Sequence, residues 1–290
     1  MPTWKFVTVD VFTTTLFGGN PLAVFPDAAG LSDAQMQALA REFNLSETTF
    51  VLPPENPANT ARVRIFTPAR EMPFAGHPNV GTGWVLAGMG RARDGMLRFE
   101  EIAGLVEVRV EGEVVTIAAP QPLSFGPKVD PALVAACIGC DVSAVLTRAH
   151  APVLASTGNP FFFAEVTPEA LTQASPDIAA FRAAAAAVPD APAGRFALHI
   201  YAHDGARIRA RMFAPPLGVL EDPATGSANV TLGALLLSLG EANEGRYAIV
   251  QGVEMGRPSL LHVVATRGAD GIRATVGGTS VPVLRGELEL

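Results

Sequence analysis

The strongest constraint on this chain is that part of it is written twice. Gly76-His77-Pro78-Asn79-Val80 continues to Gly83, Leu86 and Gly90, and 150 residues later Gly226-Ser227-Ala228-Asn229-Val230 continues to Gly233, Leu236 and Gly240. Six of the fifteen paired positions are identical, where composition alone would give roughly one. A second echo precedes each copy, Arg64-Ile65-Phe66-Thr67-Pro68 against Arg211-Met212-Phe213-Ala214-Pro215. A third, Gly19-Asn20-Pro21 against Gly158-Asn159-Pro160, opens each half. The order is the same in both halves, and the period is too long for a solenoid. Two similar domains are therefore expected, with chemistry in the cleft between them.

The repeated segments also fix what kind of domain each half can be. Val80 to Met89 carries no charge, and neither does Val230 to Leu239. A helix apolar on all sides must be buried on all sides. Short alternating runs surround each one: Lys5–Phe12, Leu22–Phe25, Thr48–Leu52, Ala61–Phe66, Met96–Phe99, Val106–Val110 and Val114–Ala118 in the first half. Their period of two predicts strands. Val153–Ala155, Phe161–Val166, Phe196–Ala202 and Arg207–Phe213 read the same way in the second half. The expected class is α+β, two pseudo-symmetric domains, each a mixed or antiparallel sheet wrapped around one central helix. Ser32 with Gln35 predicts a capped amphipathic helix carrying Met36, Leu39, Ala40 and Phe43 on one face. Asp130–Ile138 and Pro176–Val188 also read as helices. The Pro-rich stretch from Pro120 to Pro131 is the expected linker, giving domains 1–120 and 121–290. A final strand over 280–290 is able to pair with the first domain.

The formal charge is −7 and there is no basic run, which argues against a nucleic-acid partner. No apolar stretch reaches the ~18 residues that span a bilayer. Met1-Pro2-Thr3-Trp4-Lys5-Phe6 leads directly into a strand-like pattern without a signal core. A cytoplasmic protein is expected. The two cysteines form Cys137-Ile138-Gly139-Cys140. Zinc wants four ligands, no second pair exists, and the pair ends a helical run rather than opening one. Small buried side chains are the expected reading, and no metal is expected.

Each repeated Gly stands at a helix start, where backbone N–H groups and a partial positive charge attract anions. Ala75-Gly76-His77 and Thr225-Gly226-Ser227 are thus paired candidates for holding a carboxylate; the alternative is that Gly76 and Gly226 only relax the backbone. Glu47 lies in Asn44-Leu45-Ser46-Glu47-Thr48-Thr49-Phe50. Apolar surroundings would raise its pKa and fit it for proton exchange; the alternative is a solvent-facing loop carboxylate. His77 is expected to be neutral at the helix start, as a reactive or a packing group. Asp222-Pro223 can orient a base or substrate, or begin a turn. Ser227 lacks the Gly-x-Ser-x-Gly setting of a nucleophile and suits a binding role.

Read together, Asn20-Pro21-Leu22-Ala23-Val24, Asn44 to Phe50, Phe66-Thr67-Pro68, Glu71-Met72-Pro73-Phe74-Ala75-Gly76-His77-Pro78, Glu221 to Ala228 and Gln251-Gly252-x-x-Met255-Gly256-Arg257-Pro258 resemble the PhzF-like family of phenazine-biosynthesis isomerases. The resemblance implies a diaminopimelate epimerase-like fold, Glu47 as catalytic acid/base, and His77 and Asp222 beside it. Asn20, Ser46, Gly76, Thr225, Gly226 and Ser227 become substrate contacts. It implies a small carboxylic acid as substrate, as in trans-2,3-dihydro-3-hydroxyanthranilate isomerase, no cofactor, and a homodimer. Related epimerases and racemases use two thiols at the helix starts; the corresponding places here are expected at Ala75 and Ala228, which argues against two-thiol racemisation. Pro78-Asn79 stands where the family pattern has Pro-Thr. An amino-acid epimerase, or a member that binds a small acid or a protein without turnover, are the alternatives.

Overall fold

A computed structural model describes residues 2–188 and 196–290. The chain forms two compact units. The first comprises Met1–Ala118 together with Gly277–Leu290, and the second Ala119–Val276.

The first unit holds strands β1 (Thr3–Val11), β2 (Asn20–Phe25), β3 (Glu47–Leu52), β4 (Ala61–Phe66), β5 (Glu71–Met72), β6 (Met96–Glu101), β7 (Gly104–Glu111) and β8 (Val114–Ala118). Helices α1 (Asp33–Phe43) and α2 (Gly76–Gly88) belong to it. Most neighbours are antiparallel, but β2–β3 and β4–β6 run parallel. Such a mixed sheet needs crossovers, and α1 and α2 supply them. The strand Ser280–Glu289 returns to pair antiparallel with β1, which sits between it and β2.

The second unit repeats this plan with β9 (Ser124–Lys128), β10 (Val145–Leu146), β11 (Val153–Ser156), β12 (Pro160–Val166), β13 (Leu198–Asp204), β14 (Arg207–Ala214), β15 (Val219–Asp222), β16 (Glu244–Gln251) and β17 (Ser259–Gly268). Its helices are α3 (Pro131–Ile138), α4 (Pro168–Gln173), α5 (Ile178–Ala187) and α6 (Gly226–Ser238). Parallel pairs recur at β12–β13 and β14–β16. The Pro-rich stretch is not a bare linker. Ser124–Lys128 within it is a strand paired with β11, with a register shift between Val153 and Ala155, and such an irregularity admits Pro127. The second unit also ends at Val276 rather than at residue 290.

Both chargeless helices are buried over most of their length, from Gly76 to Leu86 and from Gly226 to Leu237. In its own unit α2 packs against β1, β2, β3, β7 and β8; α6 packs against β11, β12, β16 and β17. Gly83 and Gly233 are matching points of close approach. A Cβ on Gly83 would lie 2.7 Å from Val108 Cγ1, and one on Gly233 would lie 2.4 Å from Val263 Cγ1. The opposite sheet face carries a second core in each unit. In the first, α1 seals Phe25, Phe50 and Phe66, with Phe25 and Phe50 stacked at 4.9 Å. In the second, α3, α4 and α5, the last contributing Phe181, cover Phe162, Phe196 and Phe213.

The Arg-x-Phe-x-Pro echo has a structural reason. Arg64 grips Glu71 with two nitrogens and lies over Phe66 at 5.1 Å. Arg211 does the same to Glu221 and lies over Phe213 at 4.9 Å. Bidentate geometry of this kind explains why both copies keep Arg rather than Lys. The offset is 147 residues at the arginines and 150 at the glutamates, so the extra residues of the second copy fall in the 3-10 turn Pro215–Leu217 and the longer β15.

Candidate active site

The start of α2 is built by three elements. Glu47 is the first residue of β3, not a loop carboxylate, and shares the sheet face of Thr49, whose hydroxyl meets Thr82 of α2 at 2.8 Å. The alternation of the strand therefore points Glu47 at the helix. Asn20, fully buried, opens β2 beside it. The turn before Asn20 demands glycine at Gly19, which has φ +61° and whose Cβ would stand 2.3 Å from the Val11 carbonyl oxygen. Ser46 lies half-buried just ahead of β3. The Glu47 carboxylate oxygen Oε2 is 3.4 Å from His77 Nδ1, and Asn20 Nδ2 is 3.4 Å from the same atom. His77 is 6% exposed and Glu47 17%, so the carboxylate is the more accessible end of the pair.

His77 is held far below its ordinary pKa, down to about 3. The main cause is burial, with the Pro21 carbonyl pulling the other way; the expected neutral imidazole is thus explained by desolvation rather than by the helix start. Among the described residues His77 Nε2 has no hydrogen-bond partner. A buried N–H without an acceptor costs more than a lone pair without a donor. The tautomer sets which neighbour Nδ1 engages: protonated it donates to Glu47 Oε2, and unprotonated it accepts from Asn20 Nδ2.

The start of α6 carries the second group. Asp222 is buried, and its carboxylate accepts from the Thr225 hydroxyl at 2.5 Å. Gln251 ties the turn together. Its Oε1 accepts from Thr225 N at 3.1 Å and Asn229 Nδ2 at 2.6 Å, and its Nε2 donates to the Asp222 carbonyl at 2.7 Å. Gly226 is buried and Ser227 half-buried at the first turn. Gln251 was visible in the sequence only as part of a Gln-Gly motif, and its anchoring role emerges from these bonds.

The helix ends separate structural from candidate functional helices. Ser32, Asp130, Thr167 and Asp177 cap α1, α3, α4 and α5 with their side chains. Neither α2 nor α6 has a side-chain cap; Ala75 and Thr225 hold those positions. First-turn N–H groups without a side-chain acceptor are available to an anion. These caps also correct one correspondence. The counterpart of Ala75 is Thr225, not Ala228, which lies inside α6. Both helix-start positions still lack a thiol. Cys137 is buried in the core under α3, its thiol pushed up to about 12 chiefly by burial, and Cys140 packs beside that core. Among the described residues no group of three or more His, Cys, Asp and Glu is placed to hold a metal.

The pseudo-symmetry exposes one decisive difference. Thr49 opposes Ile65 across β3–β4, and His199 opposes Met212 across β13–β14. Ile65 and Met212 are matching positions of the Arg-x-Phe echo. Thr49 thus corresponds to His199, and Glu47 to Ala197. A carboxylate stands at this place in one copy only.

Two units, each a mixed sheet around an uncapped buried helix, define an epimerase-like class of fold. A hydroxyproline epimerase of Agrobacterium vitis shares it, at TM-score 0.61 and 15% identity over 99% of this chain and 93% of that one. The family described as phenazine biosynthesis-like protein matches residues 9–286. The trans-2,3-dihydro-3-hydroxyanthranilate isomerase of Pseudomonas chlororaphis is 38% identical over 98% of this chain and 99% of its own. An uncharacterised isomerase of Mesorhizobium japonicum is 37% identical over 99% of each. The PhzF-family protein of Bacillus anthracis superposes at TM-score 0.89, 25% identical over the whole of both chains. The chain belongs to the PhzF-like phenazine-biosynthesis family and is an isomerase.

Proposed function

We propose that this isomerase moves a proton between two carbons of a small unsaturated carboxylic acid, of the dihydro-hydroxyanthranilate class on which its Pseudomonas chlororaphis relative is named to act, with Glu47 as the single acid/base. The observation that carries the reading is Glu47 Oε2 at 3.4 Å from the buried neutral His77, with Ala197 in the matching place of the second unit. The Glu47 carboxylate takes a proton from carbon, and the electron pair is spread over the conjugated system. The resulting carboxylic acid returns the proton to another carbon, so atoms and oxidation level balance without a co-reactant. His77 orients the carboxylate, and Asn20 and Ser46 are contacts on the same side. The N–H groups of Gly76 and His77 suit the substrate carboxylate. Asp222, Thr225, Gly226 and Ser227 hold the corresponding places at the start of α6.

Racemisation by two thiols is disfavoured, since Ala75 and Thr225 hold the helix-start positions. Solvent deuterium tests the reading. The wild type should transfer deuterium into the acid, and Glu47→Gln should bind it within a few fold while exchanging at least ~100-fold more slowly, the lower end of what a general base supplies. Near-normal exchange in Glu47→Gln, with loss in His77→Asn, would move the base to another residue. A wild type that binds the acid without any exchange would leave a binding protein. We also propose a cytoplasmic homodimer, on the family resemblance; no helix among the described residues is long and apolar enough to cross a membrane. Light scattering of the purified protein tests the dimer.

A further inference from the structure

The two units match at the helix starts in a place where the sequence differs. Ala61 opposes Phe99 across β4–β6, and Ile208 opposes Ile249 across β14–β16. Counting two residues on, Glu101 ends β6 where Gln251 ends β16. The faces agree as well. Leu97 lies over Gly83, and Tyr247 over Gly233, so the period of two points both Glu101 and Gln251 at their buried helices. On those helices Asn79 and Asn229 occupy matching positions. Each donates its Nδ2 to the carbonyl of the residue before the helix, Ala75 at 3.1 Å and Thr225 at 3.0 Å. In the second unit Gln251 grips Asn229 and so fixes the turn. In the first unit the Asn79 amide is the polar group that acts on the Glu101 carboxyl.

We infer that Glu101 is a positioning residue that holds the Ala75-Gly76-His77 turn through Asn79, as Gln251 holds Thr225-Gly226-Ser227 through Asn229. The inference rests on the reading of the α2 start as the substrate site. Both Glu101 oxygens and Asn79 Oδ1 are buried without a hydrogen-bond partner among the described residues. Asn79 Nδ2 is the donor beside them and favours the ionised carboxylate, while burial acts against it. A proton on Glu101 gives the carboxyl the donor–acceptor pair of an amide. Burial pushes Glu101 up to about 8, with Asn79 pulling the other way, so the acid form prevails at neutral pH.

The charges on neighbouring elements are engaged elsewhere. On β4, Arg62 pairs with Glu55, and Arg64 with Glu71 of β5 and with Asp33. On β6 itself, Arg98 reaches Glu107 of β7, and Glu100 accepts from Asn59 and the Glu55 and Asn56 amides. On β7, Arg109 meets Glu111. The titratable group of α2 is His77, near 3, facing Glu47. Raising the pH through about 8 should therefore ionise Glu101, remove the donor and loosen the turn that carries Gly76 and His77.

The test compares wild type, Glu101→Gln and Glu101→Leu by amide NMR and by kinetics from pH 6 to 9.5. The Gly76 and His77 amide signals should titrate near pH 8 in wild type and not in Glu101→Gln. Glu101→Gln should keep kcat within about twofold at pH 7 and lose the alkaline fall in kcat/KM. Glu101→Leu should lower kcat/KM at least tenfold while remaining folded by its amide spectrum. The inference is overturned if the two amides titrate alike in wild type and Glu101→Gln, or if Gln is as damaging as Leu. Titration of the two amides without a matching change in turnover would keep Glu101 as the brace of the turn and instead remove the turn from the substrate site.

Discussion

Gly233 should tolerate no side chain, and the structure says by how much. An added Cβ would sit 2.4 Å from Val263 Cγ1, 3.3 Å from Val263 Cβ and 3.2 Å from Tyr247 Cδ2. Carbon atoms rest at roughly 3.5–4.0 Å, so the worst contact is short by more than about 1 Å. Val263 is 1% exposed and β-branched, with one stiff torsion and no room to turn. Overpacking of this kind costs typically ~1–3 kcal/mol. Replacing Gly by Ala inside a helix returns up to ~1 kcal/mol. The clash should win, leaving Gly233→Ala about 1–2 kcal/mol less stable. Gly88→Ala is the control, because its Cβ would meet nothing within 4 Å, and it should be neutral or stabilising. Urea unfolding followed by circular dichroism at 25 °C measures both. Adding Val263→Ala to Gly233→Ala should recover part of the loss, giving a coupling of at least about 0.5 kcal/mol between the sites. If Gly233→Ala behaves like Gly88→Ala, or if Val263→Ala only adds its own penalty, the close helix–sheet approach is not what requires glycine.

Glu47→Asp should also be slow, by at least ~10-fold in deuterium exchange, since withdrawing the carboxylate by one methylene spoils its reach; unchanged exchange would argue against a carbon acid at that oxygen. Glu101 links stability to pH. Its folded value, about 8, lies above the ordinary 4.5, so the folded chain keeps a proton that the unfolded chain releases. Its contribution is complete below about pH 4.5 and is lost as pH rises toward 8. Between pH 5 and 8 the wild type should lose about 3 kcal/mol of unfolding free energy relative to Glu101→Gln, measured from urea midpoints; parallel curves would refute this. Replacing Cys137 and Cys140 together by Ser should leave turnover and metal content unchanged and lower the thermal midpoint modestly, because a buried Cys137 loses apolar contact. Metal lost stoichiometrically on that change would overturn it.

Much of the architecture was legible because it rests on burial. The chargeless runs after Gly76 and Gly226 could only be interior helices, and the Ser32–Gln35 capping box forms as expected, with Ser32 Oγ accepting from Gln35 N and Gln35 Oε1 accepting from Ser32 N. The strands Ala61–Phe66 and Val114–Ala118 have the bounds that their patterns predict. What escaped depends on partners distant in sequence. The β9 strand hides among prolines because its pairing with β11, not its propensity, makes it a strand. Helix α4 has only six residues, and Thr167 and Pro168 were its sole signals. At the site, Glu47 and His77 could be nominated by type, but their 3.4 Å approach needs the parallel β2–β3 register. The match of Glu101 with Gln251 was invisible in composition, since one is an acid and the other an amide. Only the shared register of β4–β6 and β14–β16 reveals it.

The strand Ser280–Glu289 has a consequence for the history of each molecule. It covers the free side of β1, yet the ribosome makes it only after all of Ala119–Val276. Until then the nascent first unit presents β1 as an unpaired edge, the kind of edge that recruits foreign strands. At ordinary elongation rates that wait is on the order of ten seconds or more. The first unit is therefore completed only after the second has been made, and a chain truncated or stalled before Ser280 would be the species most exposed to aggregation. Chaperone demand in the cell should follow the arrival of this strand rather than the making of the core that surrounds α2.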